Sequence, residues 1–239
     1  MLFHCFAGCP TSDVLRELAR LNLPVGGVLS PSARPAPDPV RGAAAALQIW
    51  SEARPLAGTI AETYLHARSV PGSSEIRFHP RTPQGRAPLT RFAPAMIAAV
   101  RDEAGLVAIH RTFLASDGHG LATRQPSRAA LGLLGSGLVR LAPASELLGL
   151  AEGIETALSA SALFGVPCWA TLGTERFQRI TLPASIDRII LFLDNDAAGR
   201  RAEVLARAHF QQVAVIDARY PERPGADWND VIRRVRPAG

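Results

Sequence analysis

From Leu147 onward the sequence alternates short, almost wholly apolar runs with amphipathic stretches, and this pattern restricts the architecture more than any other feature. LLGLA (147–151), VPCWATL (166–172), RIILFL (188–193) and VAVID (213–217) read as strands. Between them lie a helix over Ile154–Phe164, a short helical ERFQRI (175–180) and a helix over Ala197–Phe210, with a last helix beginning near Asp227. Strands that are apolar on both faces need cover on both faces. The pattern therefore predicts an α/β, Rossmann-like fold with a mostly parallel sheet.

The chain before Leu147 has a different character. Leu15, Leu18 and Leu21 share one face of a short helix, with Thr11 or Ser12 as its N-cap. Pro24–Gly42 holds five prolines and three glycines and reads as a linker. A helix is expected over Ala43–Trp50, and a second from Thr59, where Thr59 and Glu62 have capping-box spacing. Between Ile76 and Leu141, β-prone pieces (IRFHP, AMIAAV, LVAIHRTFLA, GLVRLA) alternate with Gly, Pro and Asp turns, as in an antiparallel sheet. The predicted organisation is a leading segment 1–22, a linker 23–42, a smaller α+β subdomain 43–147 and an α/β domain 148–239.

Charge separates these regions. All 26 basic residues among the 239 are Arg, and the net charge is +5. Residues 1–147 carry 15 Arg against 10 acids, whereas 148–239 carry 11 of each, so the excess lies entirely upstream. Nine Arg and four acids fall between Arg68 and Arg128. A basic region beside a neutral one with clustered acids suits a protein that holds a polyanion on one side and a metal ion on the other. Three cysteines exclude a disulfide framework, no apolar run is long enough to span a membrane, and MLFHCFAGCP lacks a basic leader region. A cytoplasmic location without membrane contact is the expectation.

The acids of the C-terminal region fall where open α/β sheets carry their chemistry, beyond the carboxyl ends of the strands. LLGLA runs into Glu152-Gly153, and RIILFL into Asp194-Asn195-Asp196; Gly225-Ala226-Asp227-Trp228-Asn229-Asp230 forms a third cluster. Carboxylates at adjacent strand ends repel unless protonated or bridged by a divalent cation. Hard oxygen ligands suit Mg²⁺ or Mn²⁺, with Asp227 a candidate for a second position. Gly153 and Gly199 lack a Cβ and open helices, which favours close approach of a phosphate. Glu155 and Glu203 are assigned to solvated helix faces or local pairs.

These residues resemble a Toprim domain, the fold shared by bacterial primases, topoisomerases and some nucleases. AEGIETALSA, TLGT, LFLDNDAAGRRA and PGADWNDVI, in that order, cover nearly all of residues 148–236. The resemblance implies Glu152 as general acid or base and Asp194 and Asp196 as metal ligands. The third motif, at Asp227, departs from the primase pattern at Trp228 and Asn229, and Thr156 stands where many primases carry Asp. YLHARSV, LVAIHRTFL and the pieces up to GLVRLAP are similar to the basic subdomain that precedes Toprim in primases of phages and mobile elements. That similarity implies that Arg111, Arg124 and Arg128 line a cleft for template or nucleotide. HCFAGC resembles the second half of a primase zinc ribbon; with Cys5 and Cys9 alone the site is incomplete, and zinc is not expected to be held.

The implied function is a metal-dependent, primase-like nucleotidyltransferase. Its expected partners are single-stranded DNA, nucleoside triphosphates and a separate helicase. A topoisomerase needs a tyrosine nucleophile and a gate, and only Tyr64 and Tyr220 exist. A Toprim nuclease and a catalytically idle DNA-binding remnant stay open as alternatives.

Overall fold

A computed structural model of the chain describes residues 39–85, 89–213 and 215–236, together with Glu17 and Arg20. The leading segment with Cys5 and Cys9, and most of the linker, lie outside the described residues. Helix α1 spans Pro39–Glu52, so the last residues assigned to the linker are helical. Pro39 stands first in the helix, where a missing N–H costs nothing. Helix α2 (Ile60–His66) starts after Thr59, whose hydroxyl accepts from the Glu62 N–H. Glu62 reaches back to the Gly58 N–H at 2.8 Å, one residue earlier than in the simplest capping box.

Four antiparallel strands follow in sequential order: β1 (Ile76–Gln84), β2 (Arg91–Asp102), β3 (Gly105–Phe113) and β4 (Arg128–Gly132). The apolar run of β2 is buried on both faces. Ala95, Ile97 and Ala99 pack under α1 with Ile49, Trp50 and Phe113. Met96, Ala98 and Val100 point the opposite way, into a core shared with the C-terminal domain. GLVRLA forms no strand; Leu138 and Val139 make single bridges, to Arg101 and Ala170.

The C-terminal domain is built on a wholly parallel sheet of order β6-β5-β7-β8. Its strands are β5 (Leu147–Ala151), β6 (Cys168–Ala170), β7 (Arg188–Phe192) and β8 (Val215–Arg219). Helix α3 (Ile154–Phe164) and the C-terminal α5 (Trp228–Val235) share the core that contains Ile190 and Phe192. Helix α4 (Ala197–His209) lies over Leu148, Leu150, Ile189 and Leu191 on the opposite face. A 3₁₀ turn over Thr174–Gln178 follows β6. Because β5 leads to β6 on one side and the chain then crosses to β7 on the other, the connections diverge between β5 and β7. That switch point opens a crevice at the carboxyl ends of these strands. Among the described residues no helix is long and apolar enough to cross a membrane.

Candidate functional site

Strand order lines up four segments along one rim. Ala151 of β5 pairs with Phe192 of β7, so Glu152 and Asp194 leave neighbouring strands one and two residues past that pair. On the β6 side, Leu172-Gly173-Thr174 comes next. Leu172 takes φ +69°, a conformation strained for a branched side chain, and its N–H donates to the Glu152 carbonyl at 2.8 Å. That turn brings the Thr174 hydroxyl to Glu152 Oε2 at 2.8 Å. On the β8 side, Asn195 ties down the loop before α5. Its N–H donates to the Ala226 carbonyl, its carbonyl accepts from Gly225, and its side-chain amide donates to Pro221. Asp227 is thereby fixed as N-cap of α5, accepting from the Asp230 N–H at 2.7 Å.

Glu152, Asp194 and Asp227 line one cleft of about 470 Å³. Asp194 is the most perturbed of them. Its Oδ1 is buried with no hydrogen-bond partner among the described residues. Burial, and then the charges of Asp227, Glu152, Asp196 and Asp230, push its carboxyl up to about 7. Burial likewise raises Asp227. Among the described residues no three His, Cys, Asp or Glu side chains converge into a ready-made ligand cage. The acids surround a shared space, and the orphaned oxygen of Asp194 together with an all-oxygen donor set fits a hard divalent cation that retains some of its water.

Asp196 is placed differently. It is exposed, does not line the cleft, and caps α4 by accepting from the Gly199 N–H at 2.8 Å. Gly199 is needed for a reason other than phosphate approach: a Cβ there would sit 2.0 Å from the Asp194 carbonyl oxygen. The first turn of α4 thus packs on the backbone of Asp194. Gly153 does border the cleft, and a Cβ there would meet nothing nearer than 3.7 Å.

The antiparallel region contributes Arg128 of β4, Arg68 after α2 and His110 of β3 to the same cleft, joined by Arg233 of α5. Burial holds the His110 imidazole down at about 4, so it is neutral at neutral pH. Arg111, expected in the cleft, is buried elsewhere. It donates to the carbonyls of Pro83, Ala129 and Ala130, and burial lowers its guanidinium to about 10. Three hydrogen bonds to the backbone of β1 and β4 account for its position. Arg124 is exposed outside the cleft and reaches the Leu89 carbonyl.

Glu155 is not solvated as its helix position suggests. Its carboxylate accepts from Tyr64 Oη and Arg128 Nη2 across the junction with the antiparallel region. Glu203 does make local pairs, with Arg207 and Tyr220. Asn229 spans the same junction, donating to the Arg68 carbonyl and to Ser159. Trp228 packs edge-on against Phe164 and Phe192, so both departures in the third motif serve packing. Sequence reasoning gave no role to Thr174, Arg68, His110, Asp230 or Arg233. Thr174, Arg68, His110 and Asp230 left a trace only as members of TLGT, YLHARSV, LVAIHRTFL and the third acidic cluster.

Residues 40–141 match the model of a domain of unknown function, DUF7146, and residues 147–238 match the Toprim domain. Comparison with curated proteins finds no match. Among solved structures the chain is similar to the Aquifex aeolicus primase zinc-binding and RNA polymerase domains, with TM-score 0.59 and 14% identity, over 81% of this chain and 58% of that one. It is also similar to a DNA primase domain from Pseudomonas aeruginosa, with TM-score 0.54 and 15% identity, over 82% and 74%. The DnaG primase catalytic domain bound to single-stranded DNA matches with TM-score 0.55 and 16% identity, over 82% and 78%. The rim of acids thus sits in the segment 147–238 that is a Toprim domain, and the chain has a fold similar to that of the DnaG-type primase catalytic cores.

Proposed function

We propose that the protein is a primase-like nucleotidyltransferase that uses Mg²⁺ or Mn²⁺ and a single-stranded DNA template. The observation that carries this reading is Asp194: half-buried, with an orphaned oxygen, and raised to about 7 by burial and three acids of the same rim plus Asp196. A carboxylate kept in such surroundings costs stability unless a cation neutralises it. Asp194 and Asp227 would hold the ion, while Glu152 beside them and Asp196 at the cap of α4 add negative potential. When bound, the ion supplies charge stabilisation at the phosphorus under attack and on the departing pyrophosphate.

The chain's own residues do the rest. Glu152, with Oε2 held by Thr174, takes the proton of the attacking hydroxyl through its other oxygen. That hydroxyl oxygen bonds to the α-phosphorus of a nucleoside triphosphate as the bond to pyrophosphate breaks. Arg128 and Arg68, in the same cleft, attract the triphosphate, while the exposed Arg124 meets template backbone without reading sequence. A replicative role beside a separate helicase, in a phage, plasmid or mobile element, belongs to this reading, as does the division into a 43–147 subdomain and a 148–239 domain.

The test is incorporation of labelled nucleotides on single-stranded DNA in Mg²⁺ and in Mn²⁺. Template-dependent product that Asp194→Asn abolishes supports the reading. Metal-dependent shortening of the oligonucleotide without incorporation assigns the site to a nuclease. DNA binding that a chelator leaves unchanged, with neither reaction, assigns the protein to binding alone.

A further inference from the structure

Among the described acids that line the cleft, Glu155 is the one hydrogen-bonded to the antiparallel region. It is the second residue of α3, and its side chain, only 13% exposed, turns toward the antiparallel region. There Tyr64 Oη donates to Glu155 Oε1 at 2.6 Å and Arg128 Nη2 donates to the same oxygen at 2.7 Å. Arg128 Nη2 also lies 3.4 Å from Tyr64 Oη, and the Arg68 guanidinium stacks on the Tyr64 ring at 3.6 Å. Burial opposes the charge on Glu155, but the Arg128 cation and these hydrogen bonds outweigh it and hold the carboxyl below its usual range. The pair is therefore ionised.

Arg128 has a strong alternative. Its side chain borders a cleft that Glu152, Asp194 and Asp227 also line, and an arginine on a flexible stem would turn to those carboxylates. Glu155 competes for it with a carboxylate already hydrogen-bonded to Nη2 at 2.7 Å, with Tyr64 as a second anchor. Both hydrogen bonds of Arg128 use Nη2. Its Nε and Nη1 make none among the described residues, so one edge of the guanidinium stays available.

We propose that Glu155 is a positioning residue: with Tyr64 it holds Arg128 at the antiparallel side of the cleft, so that the free edge of the guanidinium receives a polyphosphate instead of neutralising the metal-binding carboxylates. The proposal deepens the nucleotidyltransferase reading and rests on it for the identity of the ligand. The binding geometry can be tested without turnover.

The experiment is calorimetric binding of inorganic tripolyphosphate to the full chain in chelator, at low and moderate salt. Arg128→Gln should weaken binding about tenfold or more, the range for a hydrogen bond to a charged group. The informative variant is Glu155→Gln. Removing a negative charge beside an anion site should tighten polyphosphate binding if Glu155 acts only through its charge. If it positions Arg128, binding weakens by a similar factor, and the double variant Glu155→Gln/Arg128→Gln is no weaker than Arg128→Gln alone. Tyr64→Phe, which keeps the ring and every charge, should weaken binding about threefold and serves should Glu155→Gln fail to fold. Tighter or unchanged binding in Glu155→Gln, or losses that multiply in the double variant, overturns the proposal. The expected binding pattern without nucleotide incorporation would count against the primase reading and leave the positioning role standing.

Discussion

The Thr174 hydroxyl donates to Glu152 Oε2 at 2.8 Å, from a turn in which Leu172 is held at φ +69°. Two neighbouring strand ends are thereby coupled, and one oxygen of Glu152 is left for chemistry. Thr174→Val removes the donor and keeps the shape. It should lower the maximal incorporation rate about tenfold, with little change in nucleotide KM, while Thr174→Ser retains most activity. Steady-state kinetics on both variants checks this.

Asp194 couples stability to pH. Its carboxyl titrates at about 7 in the folded chain against an ordinary value of 3.8, so the folded state keeps a proton that the unfolded state has released. In chelator, this group costs nothing below about pH 4, and its penalty grows as pH rises toward and through 7. Asp194→Asn should therefore match the parent in thermal stability at pH 4 and exceed it by a few degrees at pH 8. Mg²⁺ should raise the parent's Tm at pH 8 and leave that of Asp194→Asn unmoved.

Gly199→Ala should be severely destabilising although the residue lies at a helix start, where alanine is normally welcome. The added Cβ would meet the Asp194 carbonyl oxygen at 2.0 Å. A loss of roughly 3 kcal/mol or more is expected, seen as a fall in Tm of about 6–12 °C.

Arg111 and Arg124 should separate cleanly. Arg111→Met leaves three part-buried carbonyls without this donor and should cost about 1–2 kcal/mol by urea unfolding. It should not change the salt dependence of single-stranded DNA binding. Arg124→Ala should change stability by less than about 0.5 kcal/mol and reduce the salt slope of binding by about 0.7.

How far the sequence could be read depended on whether a residue's partners are near it in the chain. AMIAAV, LLGLA and RIILFL are strands because an unbroken apolar run has to be covered on both faces, and α3 ends where Ile154–Phe164 ends, before Gly165 in the left-handed conformation. The acids at the ends of β5 and β7 were legible for the same reason, since strand and acid are contiguous. RAALG gave no strand signal, having neither β-branched nor aromatic residues, and β4 exists because β3 pairs with it. Pro39–Gly42 reads as linker by composition, yet proline tolerated at a helix start let α1 begin there. Glu155 was misjudged because its partners, Tyr64 and Arg128, lie 91 and 27 residues away. Arg111, Arg124 and Arg128 are implied together by the resemblance to the basic subdomain of primases; the fold buries one, exposes another and places the third in the cleft.

The central claim, that the rim carboxylates Asp194 and Asp227 bind a divalent cation for phosphoryl transfer, is tested most directly by titrating the full chain with Mn²⁺ and following the free ion by electron paramagnetic resonance. The parent should bind Mn²⁺ at pH 8 and lose affinity as pH falls below about 7, where protons compete for Asp194. Asp194→Asn should lose binding, and Glu203→Gln, away from the cleft, should keep it. Equal Mn²⁺ binding by the parent and Asp194→Asn, or none by either, would contradict the account.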